Sequence, residues 1–147
     1  MKFTISWLKE HLDTQKSDQE LIDSLTNIGL EVEDVVNASE IFSNFIVAQV
    51  VEEKKHPNAD KLKVCRVDIG SDIVDVVCGA PNVEKDMKVV YAPPGSTIPS
   101  TQMKLKASKI RGVESLGMMC SEFELGISDD HDGIIKLDDS VNVGRPY

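Results

Sequence analysis

Aromatic side chains are scarce in this chain, seven among 147 residues or 5%. Proteins that hold single strands regardless of sequence stack bases on exposed rings. With only Phe3, Trp7, Phe42, Phe45, Tyr91, Phe123 and Tyr147 available, stacking can be a minor mode at most, and Phe123 is the ring to test. Cysteine is also sparse. Cys65, Cys78 and Cys120 are odd in number and form no C-x-x-C pair, which excludes a disulfide framework and the spacings of common zinc fingers. Buried, reduced thiols are expected. Long apolar runs are missing, and Lys9, Glu10 and His11 interrupt the first segment before a signal-like stretch develops. A membrane span is excluded, and a cytoplasmic location is expected. Positive charge is the last shortage: 16 Lys and Arg against 25 Asp and Glu give a net charge of −9. Taken whole, that balance argues against a nucleic-acid partner.

What is present is a globular composition, 41% hydrophobic and 28% charged. A chain of this length buries ~70% of its unfolded surface, enough for one ordinary domain with a small extra module. The charge is not evenly spread. Residues 54–111 hold eleven basic and six acidic groups, whereas residues 1–40 hold three and nine and residues 112–147 hold two and eight. Screening over about 10 Å at 0.1 M salt lets a basic middle attract a polyanion although the chain as a whole is negative. The plainer alternative is that these lysines only solvate the outer faces of strands.

Helical periodicity comes first. Ile5, Leu8 and Leu12, with Trp7 beside them, predict a short helix over residues 4–12. Ser17 and Glu20 form a capping-box pattern that opens a second helix with Leu21, Ile22, Leu25 and Ile28 on one face, stopped by Gly29. This narrow stripe is too little core to fold alone, so the module should pack on the rest of the chain or on another subunit.

After Ser39 the pattern is that of strands. Residues 45–51 contain one polar side chain, Gln49, as in a strand covered on both faces. Leu62 and Val64 share one phase and Cys65, Val67 and Ile69 the other, which predicts a β-bulge in that strand. Gly70-Ser71 predicts a two-residue hairpin into Val74, Val76 and Cys78. Met87, Val89 and Tyr91 alternate until Pro93-Pro94-Gly95 ends pairing. Met103, Leu105 and Ala107 predict a further strand, and Ile134, Ile135 and Leu137 a last one. The expected fold is mainly β: a five-stranded OB-fold barrel over residues 39–147, preceded by a helical module over residues 1–38.

Two basic clusters stand out. Lys54, Lys55, His56, Lys61, Lys63 and Arg66 crowd the loop entering the bent strand. In residues 102–111, Lys104, Lys106, Lys109 and Arg111 are accompanied by no acid; all four can face one ligand only if a bulge lies near Ala107-Ser108. Residues 128–139 imitate an EF-hand loop, with Asp130, Asp132, Gly133 and Asp139 in phase. Ser128 replaces the first carboxylate and no exit helix is expected, so an Asp-rich turn is the preferred reading and no metal site is predicted. Ser, His and Asp occur without a nucleophile elbow, and no catalytic residue is predicted.

The stretch His56-Pro57-Asn58-Ala59-Asp60-Lys61-Leu62, with Val64-Cys65-Arg66-Val67-Asp68, resembles the tRNA-binding OB domain of several aminoacyl-tRNA synthetases and free-standing tRNA-binding proteins. Val77-Cys78-Gly79-Ala80-Pro81-Asn82, Lys109-Ile110-Arg111-Gly112 and Ser115-Leu116-Gly117-Met118-Met119-Cys120-Ser121 come next in the same order. Met1-Lys2-Phe3, Ser6-Trp7-Leu8, Gly29-Leu30-Glu31-Val32 and residues 124–134 are similar to the start of the bacterial phenylalanine–tRNA ligase β subunit. Leu116 and Phe123 depart from the pattern, standing where smaller or polar residues are usual.

The resemblance implies a fragment of a subunit several hundred residues long, taking part in ATP-dependent charging of tRNA(Phe) within an α2β2 assembly. ATP and Mg²⁺ would belong to the full enzyme, and the remainder of the β subunit and the α subunit would be its protein partners. By motif position the RNA-binding surface would comprise Lys61, Lys63, Arg66, Asn82, Lys104, Lys106, Lys109, Arg111, Ser115 and Met118. Lys and Arg would neutralise phosphates, and Asn82 and Ser115 could bond sugar or base edges. Asn82 could equally cap its own loop, and Met118 is better suited to packing than to a ligand. The competing function is a purely structural docking module that does not touch tRNA.

Overall fold

Local capping chemistry starts both helices of the first forty residues. The computed structural model describes residues 1–147, in two compact units, Met1–Asn37 and Ala38–Tyr147. In the first, α1 (Ile5–His11) begins where the Thr4 side chain accepts from the Trp7 N–H. Helix α2 (Asp18–Asn27) opens on the capping box: Ser17 Oγ accepts from the Glu20 N–H, and the Glu20 carboxylate accepts from the Ser17 N–H at 2.8 Å. Those bonds from Ser17 hold the Glu20 carboxyl below the usual carboxylate range. Gly29, at φ +94°, stops the helix in the left-handed conformation that glycine adopts without strain. Only Leu21 is buried. Ile22 and Leu25 are half-buried, and Ile28, expected on the same face, is 74% exposed.

The second unit begins with the single turn α3 (Ala38–Ile41) and then forms β1 (Ile46–Lys55), β2 (Lys63–Asp68), β3 (Ile73–Cys78), β4 (Lys88–Ala92), β5 (Ser108–Ile110), β6 (Val113–Ser115) and β7 (Met118–Met119). The main sheet is antiparallel in the order β3-β2-β1-β4-β7, and β5-β6 is a separate hairpin. Strand β4 is covered on both faces: Val89 and Tyr91 join Val50, Val67 and Val76 in one apolar cluster, while Val90 and Ala92 join Phe45, Ile98 and Leu125 in another. Two backbone-directed bonds, not a ladder, bring β3 to the segment before β7: Leu116 N–H donates to Asp75 O, and Val77 N–H donates to Ser115 Oγ. The result is a nearly closed, OB-like five-stranded barrel.

The hairpin expected at Gly70-Ser71 forms, with Ile69 N–H donating to Asp72 O at 3.0 Å and Gly70 at φ +88°. Three strand expectations need correction. The bulge lies in β1, where Val50 pairs with Val67 and Glu52 with Arg66, leaving Val51 unpaired. Strand β2 itself alternates regularly, with Cys65 and Val67 inward at 0% exposure, and Leu62 belongs to the loop before it. Residues 103–107 are not a strand: after Leu105 N–H donates to Ser96 O and Ile98 N–H to Met103 O, the chain leaves this short pairing. Residues 134–137 bond to two different neighbours, Ile135 N–H to Cys120 O and Leu137 N–H to Lys88 O, so no ladder develops.

Candidate nucleic-acid interface

OB barrels bind nucleic acid with the outer face of their second and third strands and with the flanking loops. Here those loops are residues 56–62, between β1 and β2, and residues 93–117, between β4 and β7. Each is built by local chemistry. The first is closed by His56 N–H donating to Leu62 O at 3.0 Å. The second starts at the Pro93-Pro94-Gly95 turn, where Gly95 takes φ +96°, and ends in the β5–β6 hairpin, whose tip is Arg111-Gly112 at φ +49° and +88°.

The two loops meet. Asn58 N–H donates to His56 Nδ1 at 3.0 Å, so that nitrogen carries no proton, and Nε2–H donates to Ile110 O at 2.9 Å. Asn58 Nδ2–H donates to Arg111 O at 3.0 Å. His56 is only 5% exposed. It is therefore a neutral internal tie and not the surface cation that its place in a basic run suggested.

Five of the expected cations are exposed and enter none of the chain's ion pairs: Lys61 in the first loop and Lys104, Lys106, Lys109 and Arg111 in the second. Lys109 has Glu114 as its cross-strand partner. The bulge required near Ala107-Ser108 is absent, because β5 starts at Ser108 in regular register with β6. Lys104 and Lys106 thus sit on one arm of the loop, and Lys109 and Arg111 on another.

The remaining expected site residues are engaged within the fold. Lys63 Nζ donates to the Glu53 carboxylate at 2.6 Å and to Val83 O at 3.0 Å, and the bond to Glu53 raises its pKa. Arg66 lies 3.8 Å from Glu52, which also takes Lys54 at 2.8 Å, and its register partner on β3 is Asp75. The hydrogen bond from Lys54 holds the Glu52 carboxyl low. With Asp68 also on β2, the strands β1, β2 and β3 carry charges of both signs around Arg66. Asn82 bonds Ile134 at both ends of its amide, donating to its carbonyl at 2.8 Å and accepting from its N–H at 2.9 Å. A Cβ on Gly133 would lie 2.5 Å from Asn82 Oδ1, which explains the glycine there. Ser115 is 3% exposed, its hydroxyl accepting from Val77 N–H. Met118 packs half-buried against the second apolar cluster. Lys63, Asn82, Ser115 and Met118 thus each have partners within the fold, Lys63, Asn82 and Ser115 through hydrogen bonds and Met118 through apolar packing.

Phe123 is 39% exposed, with its ring edge-on to His131 at 6.0 Å. The Asp-rich run is a chain of tight turns: Ser128 Oγ accepts from Asp130 N–H, and the Asp130 carboxylate accepts from Asp132 N–H. A cavity of about 280 Å³ lies between the end of β3 and β7, lined by Cys78, Met118, Glu124 and His131 among others. Glu124 is spent on the N–H and hydroxyl of Ser121. The Ser121–Glu124 pair repeats the S-x-x-E pattern of Ser17 and Glu20, so the spacing alone marks this turn as it marks the start of α2. No helix is long and apolar enough to cross a membrane.

Comparison with known proteins places this geometry. The chain is 53% identical over 146 residues to the phenylalanine–tRNA ligase β subunit of Rhodospirillum rubrum, covering 99% of this chain and 18% of that protein. It is 50% identical over 148 residues to the same subunit of a Wolbachia species from Brugia malayi, covering 100% and 19%. It therefore spans less than a fifth of the length of these curated relatives. Among solved structures, the C-terminal domain of Plasmodium vivax p43 aligns at TM-score 0.52 and 25% identity, covering 70% of this chain and 58% of that one. A MetRS-related protein from Pyrococcus horikoshii aligns at TM-score 0.55 and 22% identity, covering 78% and 98%, and shares the fold. The profile described as a putative tRNA binding domain matches residues 45–146, and the chain belongs to that family.

Proposed function

We propose that this chain is the tRNA-binding segment of a phenylalanine–tRNA ligase β subunit and that it holds tRNA(Phe) by its phosphates through two tied loops. The observation that carries this reading is the set of exposed cations outside the chain's ion pairs, Lys61, Lys104, Lys106, Lys109 and Arg111, on the two loops that OB barrels use for nucleic acid. Residues 39–147 do the binding and residues 1–38 serve packing. The charging reaction, with its ATP and Mg²⁺, would take place on other parts of a cytoplasmic α2β2 ligase, and this chain would contribute no reacting group. Titrating the chain with tRNA at two salt concentrations tests the proposal. A log–log slope of ~0.7–0.9 per phosphate contact is expected. In Lys104→Glu/Lys106→Glu, binding several-fold weaker with a shallower slope supports the assignment, and unchanged binding removes those two lysines from the surface.

A second role concerns the first unit. It buries only Leu21 while Phe3, Trp7, Ile28, Leu30, Val35 and Val36 stay exposed. That apolar surface supports docking on the remainder of the β subunit or on α. If this were the chain's whole role, no affinity for tRNA would be measured even at low salt.

A further inference from the structure

We infer that His56 and Asn58 are positioning residues for RNA binding, which clamp the Arg111 tip of the second loop onto the first so that cations from both loops act as one surface. The inference rests on the tRNA-binding reading. Without the clamp, the β5–β6 hairpin is three residues per strand, too short to hold its place alone in water. Neither strand of that hairpin belongs to the barrel sheet. The barrel holds its far end through Ser115 and Leu116. The near end, where the cations are, is held by two bonds, Nε2–H of His56 to Ile110 O and Asn58 Nδ2–H to Arg111 O, while Asn58 N–H donating to His56 Nδ1 fixes the imidazole within the first loop.

The turn conformation shows why the tie matters. Arg111 sits at φ +49°, a region that a side-chain-bearing residue occupies at a cost unless its surroundings fix it. The two-residue turn between the paired Ile110 and Val113 requires this conformation, the Asn58 amide bonds the Arg111 carbonyl in it, and a Cβ on the following residue, Gly112, would lie 3.6 Å from that amide nitrogen. Neither His56 nor Asn58 adds charge to the surface. Their contribution is to save RNA the entropy of ordering a mobile, cation-bearing tip, which is the general advantage of preorganisation.

The test uses the whole chain and tRNA at low salt, with His56→Ala, His56→Gln, Asn58→Ala and Arg111→Ala and their combinations. His56→Ala and Asn58→Ala should each weaken binding about fivefold, the scale on which residues sharing one network couple. Hydrogen exchange at residues 108–115 should accelerate while that of β1 to β4 stays as it was. His56→Gln can donate to Ile110 and accept from Asn58, and should recover most of the affinity. In the Arg111→Ala background, Asn58→Ala should cost less than it does in the wild-type chain, because the bond to the residue 111 carbonyl now positions one cation fewer, with Lys109 left on the hairpin. Should His56→Ala fail to fold, the exposed Asn58 decides by its own cycle. Full additivity with Arg111→Ala, or undiminished binding by Asn58→Ala, overturns the inference and leaves the tRNA reading standing. A wild-type chain that binds no tRNA overturns both.

Discussion

The two units solve the burial problem in different ways. In Met1–Asn37 the helices owe their ends to side-chain caps, and the only buried apolar residue is Leu21. In Ala38–Tyr147 the strands owe their existence to long-range pairing, and β4 has apolar clusters on both faces. Local hydrogen bonds can specify a helix, but only burial of apolar surface stabilises it strongly in water. The first unit is therefore specified by sequence and short of stabilisation; the second has stabilisation to spare for loops that carry unpaired cations.

The largest test of this contrast removes the centre of the barrel. Tyr91 is 1% exposed, and its hydroxyl donates to Leu116 O, joining β4 to the segment before β7. Tyr91→Ala should cost about 3–5 kcal/mol in denaturant unfolding, with tRNA binding lost together with the fold. No position in the first unit should match that figure, and a variant there that did would erase the distinction.

Next in size is the alkaline response. Burial pushes the Cys65 and Cys120 thiols up to about 12 and also raises Cys78, all three lying in the second unit. The folded state prefers the protonated thiol, so this stabilisation is complete below the ordinary thiol pKa and is lost as pH rises from there towards the folded value. Barrel stability should fall by on the order of 1 kcal/mol per pH unit for each fully buried thiol above about pH 9. Thiol reagents at neutral pH should label the native chain only as fast as it unfolds. The first unit, which has no cysteine, should keep its helical signal on this account.

Smaller again is the cap. Ser17→Ala removes the bond from the Glu20 N–H to Ser17 Oγ and the hydroxyl's own bond to the Glu20 carboxylate, leaving only the backbone N–H of residue 17 on that carboxylate, and should cost helix α2 about 1 kcal/mol. Far-UV circular dichroism should show lost helix while the barrel's unfolding midpoint stays in place. A matching shift of the barrel would mean that the units unfold as one.

How much of this was legible in the sequence obeys the same division. The capping box, Gly29 and the Gly70-Ser71 hairpin could be read because each is decided by a few adjacent residues. So could the inward alternation of Val89 and Tyr91. The bulge was expected on the wrong strand because a bulge is a property of a pair, and β2 shows it only through what β1 does opposite. The strands expected near 103–107 and 134–137 alternate suitably but find no continuous partner. Among the residues expected in the site, the exposed basic character of the second loop could be read from composition. Asn82 and Ser115 could not be assigned, because their polar atoms are taken by Ile134 and Val77, 52 and 38 residues away in sequence. The role of His56 was hidden for the same reason, its partner Ile110 being 54 residues on.

The smallest prediction reverses the sign of the others. Ser96 sits just after the Pro93-Pro94-Gly95 turn, with its N–H donating to Pro93 O and its carbonyl accepting from Leu105. Its hydroxyl, at 1% residue exposure, finds no hydrogen-bond partner. A buried hydroxyl left unpaired costs about 1–3 kcal/mol, whereas removing it forfeits only the contacts of one small atom. Ser96→Ala should therefore stabilise the barrel by about 1 kcal/mol, raising its thermal midpoint by a few degrees without altering tRNA affinity. A fall in midpoint would show that the hydroxyl is satisfied after all. A rise would show that the barrel, unlike the first unit, tolerates an uncompensated defect at the base of the very loop that carries Lys104 and Lys106.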